Sequence, residues 1–153
     1  MRWQQQRRWI WRAALAGSCG SLAHFLLIYL KGAFGILPSF QPYQALQLAL
    51  SHWLDGNVNP WVPWALSFVN GFTIVGFTFA RIYSRLPGRS GAIKGAQFGV
   101  AMWIVMGSVF FPLIGLGAFA TGIGLGVWPS VFSLAMLLSY SVVMGFVYQL
   151  LRR

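Results

Sequence analysis

Acidic side chains are almost missing from this sequence. Its 153 residues include one Asp, no Glu, two His and one Cys, against eleven Lys and Arg. General acid–base catalysis needs a positioned carboxylate, imidazole or similar group, and nucleophilic catalysis needs a base beside the nucleophile. A single cysteine excludes a disulfide framework and a cysteine pair for a metal. We therefore expect no enzyme, no metal site and no proton relay built on carboxylates.

Apolar residues make up most of the sequence. Hydrophobic residues make up 58% of the chain and charged residues 8%, a composition typical of integral membrane proteins. Four apolar runs cover residues 10–30, 61–80, 95–115 and 129–150. Each has roughly the 20 residues that a helix needs to cross a bilayer. The pattern predicts one all-α membrane domain over 1–153, with four transmembrane helices in two hairpins.

The basic residues predict an orientation. Ten of the eleven fall on one side of a four-span protein: Arg2, Arg7, Arg8, Arg12, Arg81, Arg85, Arg89, Lys94, Arg152 and Arg153. Only Lys31 and Asp55 fall on the other side. By the positive-inside rule both termini are cytoplasmic, in a multi-pass protein of the bacterial inner (cytoplasmic) membrane.

The net charge of +10 does not require nucleic acid as a partner. Basic groups beside a membrane attract anionic lipid headgroups, by about 1 kcal/mol for each residue near the surface. We expect this role for the loop residues Arg81, Arg85, Arg89 and Lys94.

The outer connection, residues 31–60, is long for a protein of this size. Its segment "PYQALQLALSHWL", residues 42–54, predicts a short helix, with Pro42 in the first turn and Gly56 at the stop. The segment is too short to span a membrane. We therefore expect an interfacial helix lying on the outer leaflet.

The only acid, Asp55, follows that helix in "SHWLDGN". One interpretation is structural: the Asp55 carboxylate accepts the Asn57 amide hydrogen in an Asx turn and faces His52 as a cationic partner. The alternative is a ligand or partner contact made by His52, Trp53, Asp55 and the His24 end of the first span.

Small residues recur at four-residue spacing along the spans and predict close helix packing. The ridge residues are Gly17, Ser21, Gly71, Gly95, Gly99, Gly107, Ser141 and Gly145. We expect the first and third spans to pack together through their ridges.

Three strongly polar side chains fall within the spans: His24, Asn70 and Gln97. The simplest role for each is a hydrogen bond between helices. Haem or pigment binding through His24 is an alternative, although no second histidine lies on a facing span to complete the usual pair of haem ligands. No cofactor is therefore predicted.

The third span resembles segments of other membrane proteins. The stretch "GRSGAIKGAQFGVAMWIVMGSVFFPLIGLGAF", with its basic glycine turn, glycine-ridged helix and late proline, resembles small bacterial four-helix membrane proteins of uncharacterised families. The resemblance implies the four-span layout and carries no site residues.

Three classes of function fit these features. The first is an accessory or structural subunit that packs against a larger inner-membrane complex, respiratory or photosynthetic, with a membrane-protein partner or as a homo-oligomer. The second is a small permease or lipid-handling protein. The third is a haem- or pigment-binding membrane protein.

The orientation gives the first testable prediction. In a Cys19→Ala background, Ser90→Cys should react with a membrane-impermeant maleimide only after the cytoplasmic side is opened, because the basic loop is retained there. Labelling of position 90 in intact spheroplasts would contradict the orientation.

Overall fold

The protein is described by a computed structural model covering residues 2–152, with side chains from residue 8 onward. It contains five long helices: α1 (Arg2–Ala33), α2 (Pro42–Trp53), α3 (Trp61–Ile82), α4 (Gly91–Leu113) and α5 (Trp128–Arg152). All except α2 are long and apolar enough to cross a membrane. No strand occurs among residues 2–152. The predicted fold class is therefore confirmed.

Two of the membrane helices are interrupted by wider π-helical turns, α3 near its middle and α4 close to its C-terminal end. In α3 the turn covers Gly71–Val75, between α-helical segments Trp61–Asn70 and Gly76–Ile82. In α4 it covers Met106–Phe110, after the α-helical segment Gly91–Val105. Such turns are rare and occur frequently at functional sites.

The helices lie side by side in the order α3, α1, α5, α4. The most extensive contacts join α4 to α5 and α1 to α5, and α1 also packs along α3. We call the end where Arg12, Arg81 and Arg152 meet the basic end, and the other end, capped by α2, the distal end.

Glycines allow α1 to approach α3. A Cβ atom on Gly17 would lie 2.7 Å from the Gly71 carbonyl oxygen, and one on Gly76 would lie 2.9 Å from the Ala13 carbonyl oxygen. Such separations are too short for a real side chain, so the two backbones touch at these points.

The contact of α4 with α5 is closer still. Gly91 and Gly145 face each other with no room for a Cβ atom on either, and Gly95 and Gly99 lie against Ser141. The expected pairing of the first and third spans is therefore wrong for these ridges, because each ridge faces its neighbour within a hairpin. The nearest neighbour of Gly107 is the Phe119 ring from the α4–α5 connection, which occupies the space beside it.

Aromatic side chains fill the basic end of the bundle. Phe79 of α3 contacts Phe98 of α4 and Tyr148 of α5, with ring centroids 5.2 and 5.9 Å apart. The ring centroids of Tyr83 and Tyr148 are 5.0 Å apart. Met144, in the same core, is fully buried. These side chains close the gap between α3 and α4 at this end.

The distal end has a second core, which α2 helps to build. Phe40, just before α2, is fully buried against Phe111 of α4, and Leu46 of α2 packs on the same cluster. In the α4–α5 connection Phe119 and Ala120 have left-handed backbone conformations, φ 52° and 60°. Ala120 is fully buried in this core, while the Phe119 ring packs on Gly107 and Trp103. The short helix predicted at 42–54 thus caps the bundle.

The turn that holds Asp55 is built differently from our expectation. Asp55 has φ 49°, the left-handed conformation that asparagine and aspartate tolerate, and the Gly56 N–H donates to the Ser51 carbonyl to end α2. Gln47 and Ser51 then hold Val58 by hydrogen bonds of 2.8 and 3.2 Å. The Asx turn with Asn57 and the pair with His52 are not among the contacts of residues 2–152.

The glycine contacts give a matched pair of substitutions. Gly95→Ala should lower the free energy of unfolding, because overpacking a close contact typically costs about 1–3 kcal/mol. Gly32→Ala is the control: it is also helical, but its added methyl group meets nothing within 4 Å. Melting curves in mild detergent should show a clear loss for Gly95→Ala and none for Gly32→Ala. Equal melting temperatures would refute the close contact.

Candidate functional site

A mostly apolar chamber opens between α3 and α4. It has a volume of about 460 Å³, within the usual range for small-molecule sites. All five helices contribute to its wall: Ser21, His24 and Phe25 from α1, Pro42, Tyr43 and Leu46 from α2, Leu66, Ser67, Asn70, Gly71 and Val75 from α3, Met102, Val105, Met106, Phe110 and Phe111 from α4, and Met136, Leu137, Tyr140 and Ser141 from α5.

The two π-helical turns border this chamber from opposite sides. Gly71 and Val75 of α3 and Met106 and Phe110 of α4 all belong both to a π-helical turn and to the chamber wall. In α3 the Gly71 carbonyl accepts a hydrogen bond from the Tyr140 hydroxyl as well as from the Gly76 N–H. The irregular turns thus shape the chamber and give its wall an additional polar contact.

A chain of three polar side chains crosses the top of the chamber. The Tyr43 hydroxyl lies 3.1 Å from His24 Nε2 and 2.9 Å from Ser67 Oγ, so one phenol connects α1, α2 and α3. The Tyr43 ring also stacks on Trp64, with centroids 4.3 Å apart. Tyr43 is therefore fixed on its ring face and at its hydroxyl.

Burial raises the pKa of Tyr43 to about 12, although the hydrogen bond from Ser67 opposes this shift. Because the folded-state pKa lies above the usual value of 10, the neutral phenol is the form that folding favours. Its contribution to stability is complete below pH 10 and is lost as the pH rises towards 12. Tyr43 is therefore a neutral hydrogen-bonding group at physiological pH.

Two further polar groups in the wall lack partners within residues 2–152. Ser141 is fully buried, and its hydroxyl has no hydrogen-bond partner. Asn70 is exposed at the mouth of the chamber, where its amide is also unpaired. An unpaired polar group in an apolar environment is costly. The Ser141 hydroxyl is enclosed between α4 and α5 beside Gly99, so only the exposed Asn70 amide is available to a bound molecule.

The mouth of the chamber faces sideways, towards the surface that a bilayer would cover. Leu66 and Asn70 of α3 and Val105 and Phe110 of α4 are exposed and also line the chamber. At the basic end the contact between Phe79 and Phe98 closes the same gap. The chamber therefore opens laterally in the distal half of the bundle.

A second cavity of about 560 Å³ lies above the chamber at the distal end. Its wall includes Lys31 and the amide side chains of Gln41, Gln44 and Gln47. Three residues, Pro42, Tyr43 and Met136, line both cavities. Tyr43 thus stands between an apolar chamber and a more polar vestibule.

The structure brings together some of the predicted site residues and not others. His24, Asn70, Ser21, Gly71 and Ser141 all line the chamber. His52, Trp53 and Asp55 are exposed at the opposite end of α2 from Tyr43, and Gln97 is exposed on α4. His52 follows Tyr43 by nine residues, roughly 13 Å of helical rise. The proposed grouping of His24 with His52 and Asp55 is therefore not formed.

The chamber offers neutral hydrogen-bonding groups. Among residues 2–152 no three His, Cys, Asp or Glu side chains come together. His24 is the only histidine in the chamber wall, and its Nε2 atom is within hydrogen-bonding distance of Tyr43. The chamber therefore suits a ligand that is held by hydrogen bonds and apolar contacts.

Sequence reasoning missed Tyr43, Ser67 and both π-helical turns. Tyr43 appeared only as part of an interfacial helix. The available signal was the close succession of Pro42 and Tyr43, since a proline in the first turn fixes where that helix begins. The π-helical turns carry no clear sequence signal.

The comparisons with known proteins give a family. A model of a family of unknown function, DUF6789, matches residues 8–153. The chain belongs to this family. Membership of an uncharacterised family is as expected from the third span, and the bacterial origin stays a prediction. Neither a curated protein nor a solved structure matches the chain.

The hydrogen bonds of Tyr43 can be tested by a double-mutant cycle. Tyr43→Phe and Ser67→Ala each remove one partner, so their effects on the free energy of unfolding should not be additive. The expected coupling is about 0.6 kcal/mol, and at most about 1.7 kcal/mol, as for other hydrogen bonds between membrane helices. Tyr29→Phe is the control, because Tyr29 is 72% exposed. Additive effects would show that the two hydroxyls do not interact.

Proposed function

We propose that this protein is a lipid-handling membrane protein that binds a neutral, lipid-soluble molecule with one polar end in the chamber between α3 and α4. The observation that carries the proposal is the form of the chamber: it opens sideways, its walls are mostly apolar, and His24, Tyr43 and Ser67 form a hydrogen-bonded group across its top. A molecule dissolved in the bilayer can reach such a site without crossing water.

The walls suit a hydrocarbon chain or ring. Val75, Met102 and Met106 line the inner surface, and methionine side chains adapt to irregular apolar shapes. Burial of apolar surface from lipid gains little hydrophobic free energy, so we expect packing and hydrogen bonds to provide the affinity.

The polar cluster suits an uncharged head. His24, Tyr43, Ser67 and Asn70 can donate or accept hydrogen bonds, and no Lys, Arg, Asp or Glu among the described side chains, residues 8–152, lines the chamber. A hydroxyl, a carbonyl or an amide on the ligand would satisfy them. A fully charged head would lose its hydration without gaining an opposite charge.

The best probe is a neutral photoreactive amphiphile. A fatty alcohol with a diazirine in its chain should label peptides from α3 and α4 that line the chamber. Val105→Trp should reduce this labelling severalfold by filling the mouth. Val109→Trp is the matched control: both valines lie in α4 and are 53% exposed, but only Val105 lines the chamber.

Equal labelling of wild type and both variants would refute the chamber as the binding site. A charged analogue, a fatty acid at pH 8, should label the chamber less than the alcohol does. If the acid labels it better, the assignment of a neutral head is wrong.

The second candidate is the accessory subunit of a larger membrane complex. It is favoured by the exposed amides of Asn70 and Gln97, which lie on membrane helices and have no hydrogen-bond partner among residues 2–152. Polar side chains facing lipid are unfavourable, and a partner helix could satisfy them. Gln97→Leu should then reduce recovery of a stoichiometric partner after purification in mild detergent, while leaving labelling of the chamber unchanged.

We also propose that the basic end is cytoplasmic in a bacterial inner membrane. The support is the concentration of arginines at that end, with Lys31 the one basic residue of the distal half.

A further inference from the structure

A pocket at the basic end gathers three arginines from three helices. It has a volume of about 390 Å³ and is lined by Trp9 and Arg12 of α1, Ala80 and Arg81 of α3, Tyr148 and Arg152 of α5, and Ser84. These residues are far apart in the chain and meet only in the folded bundle. The pocket is separate from the chamber and has no role in the function proposed above.

The charge of this pocket is not balanced by any acidic side chain. The only carboxylate side chain in the whole sequence is Asp55, in the turn after α2 at the distal end. Three guanidinium groups around one pocket repel each other unless an anion lies between them. Guanidinium groups bind phosphate oxygens in pairs of parallel hydrogen bonds, so a phosphate suits them best.

One of the arginines, Arg152, is held in place by aromatic side chains. The Arg152 guanidinium carbon lies 5.1 Å from the centre of the Tyr83 ring and 5.9 Å from that of Tyr148. The Trp9 ring, beside Arg12, stacks on Phe77 of α3 with centroids 5.8 Å apart. Lys94 already has its own partners, the carbonyl and ring of Tyr83. The pocket is thus formed by packed side chains from α1, α3 and α5.

We infer that this pocket binds a phosphate group, through the converging side chains of Arg12, Arg81 and Arg152. Because the pocket lies at the ends of membrane helices and beside a tryptophan, the phosphate of an anionic phospholipid is the source that the position favours. Basic pockets between membrane helices are typical sites for such headgroups. The site differs from the general attraction of the loop residues Arg85 and Arg89, which do not line it.

The test uses the full chain in detergent micelles that contain phosphatidylcholine and a smaller fraction of phosphatidylglycerol. Native mass spectrometry counts the lipids that remain bound. Wild type should retain phosphatidylglycerol in preference to phosphatidylcholine. Arg81→Gln and Arg152→Gln should each reduce this retention about fivefold or more, the effect of one arginine near an anionic lipid. Arg89→Gln, which removes the same charge outside the pocket, should reduce it much less than the pocket variants do.

A second arm separates the two sources of phosphate. Inorganic phosphate at millimolar concentration is added to each sample. If inorganic phosphate displaces phosphatidylglycerol from wild type, the pocket binds a phosphate group, and the bound species is a soluble phosphate. If phosphatidylglycerol stays bound, the source is the lipid.

Two results would overturn the inference. One is an equal loss of phosphatidylglycerol in Arg89→Gln and in the pocket variants, which would show attraction to the whole basic surface. The other is no preference for phosphatidylglycerol in wild type together with no binding of inorganic phosphate. Because Arg152 packs on Tyr83 and Tyr148, its replacement could destabilise the helix ends. Arg81 is exposed, so its replacement should not destabilise the fold. If the Arg152→Gln variant melts early, the result for Arg81→Gln decides the outcome.

Discussion

Backbone contact between paired helices is the constraint on which the rest of this structure depends. Gly91 and Gly145 join α4 to α5, and Gly17 and Gly71 join α1 to α3, with no space for side chains between them. Contacts this close fix where each helix lies and leave little freedom for sliding. The width of the remaining gap, between α3 and α4, then depends on which side chains fill it.

That gap is filled at one end and open at the other. At the basic end Phe79, Phe98 and Tyr148 occupy it, whereas in the distal half the two π-helical turns border the chamber. The helix α2 closes the top through Tyr43, which contacts α1 and α3 together. The chamber is therefore a consequence of unequal filling, and its polar lining comes from residues that four of the five helices contribute.

The scarcity of acidic residues has different consequences at the two ends. In the chamber no ionisable acid accompanies His24, so hydrogen bonding by neutral groups is the available chemistry. At the basic end three arginines meet with no carboxylate side chain beside them. The same compositional feature thus makes one cavity neutral and the other strongly cationic.

The sequence was sufficient for the layout but not for the site. Apolar runs and basic clusters predicted the four membrane helices, and Pro42 with Gly56 located the ends of α2 to within a few residues, because these signals are local. The pairing of ridges was not predictable, since Gly17 and Gly99 look alike in sequence and differ only in the neighbour they meet. The link from Tyr43 to His24 and Ser67 was missed for the same reason: it joins residues 19 and 24 positions apart.

The central claim is that α3 and α4 touch at the basic end and separate in the distal half. Cysteine cross-linking in a Cys19→Ala background tests it most directly. Phe79→Cys with Phe98→Cys should be joined readily by a short bismaleimide, because the centroids of the two rings that the cysteines replace are 5.2 Å apart. Asn70→Cys with Val105→Cys, on opposite sides of the mouth, should be joined only by a long flexible bismaleimide, because the chamber lies between them. Equally fast cross-linking of both pairs by the short reagent would show that the chamber is closed and would contradict the account.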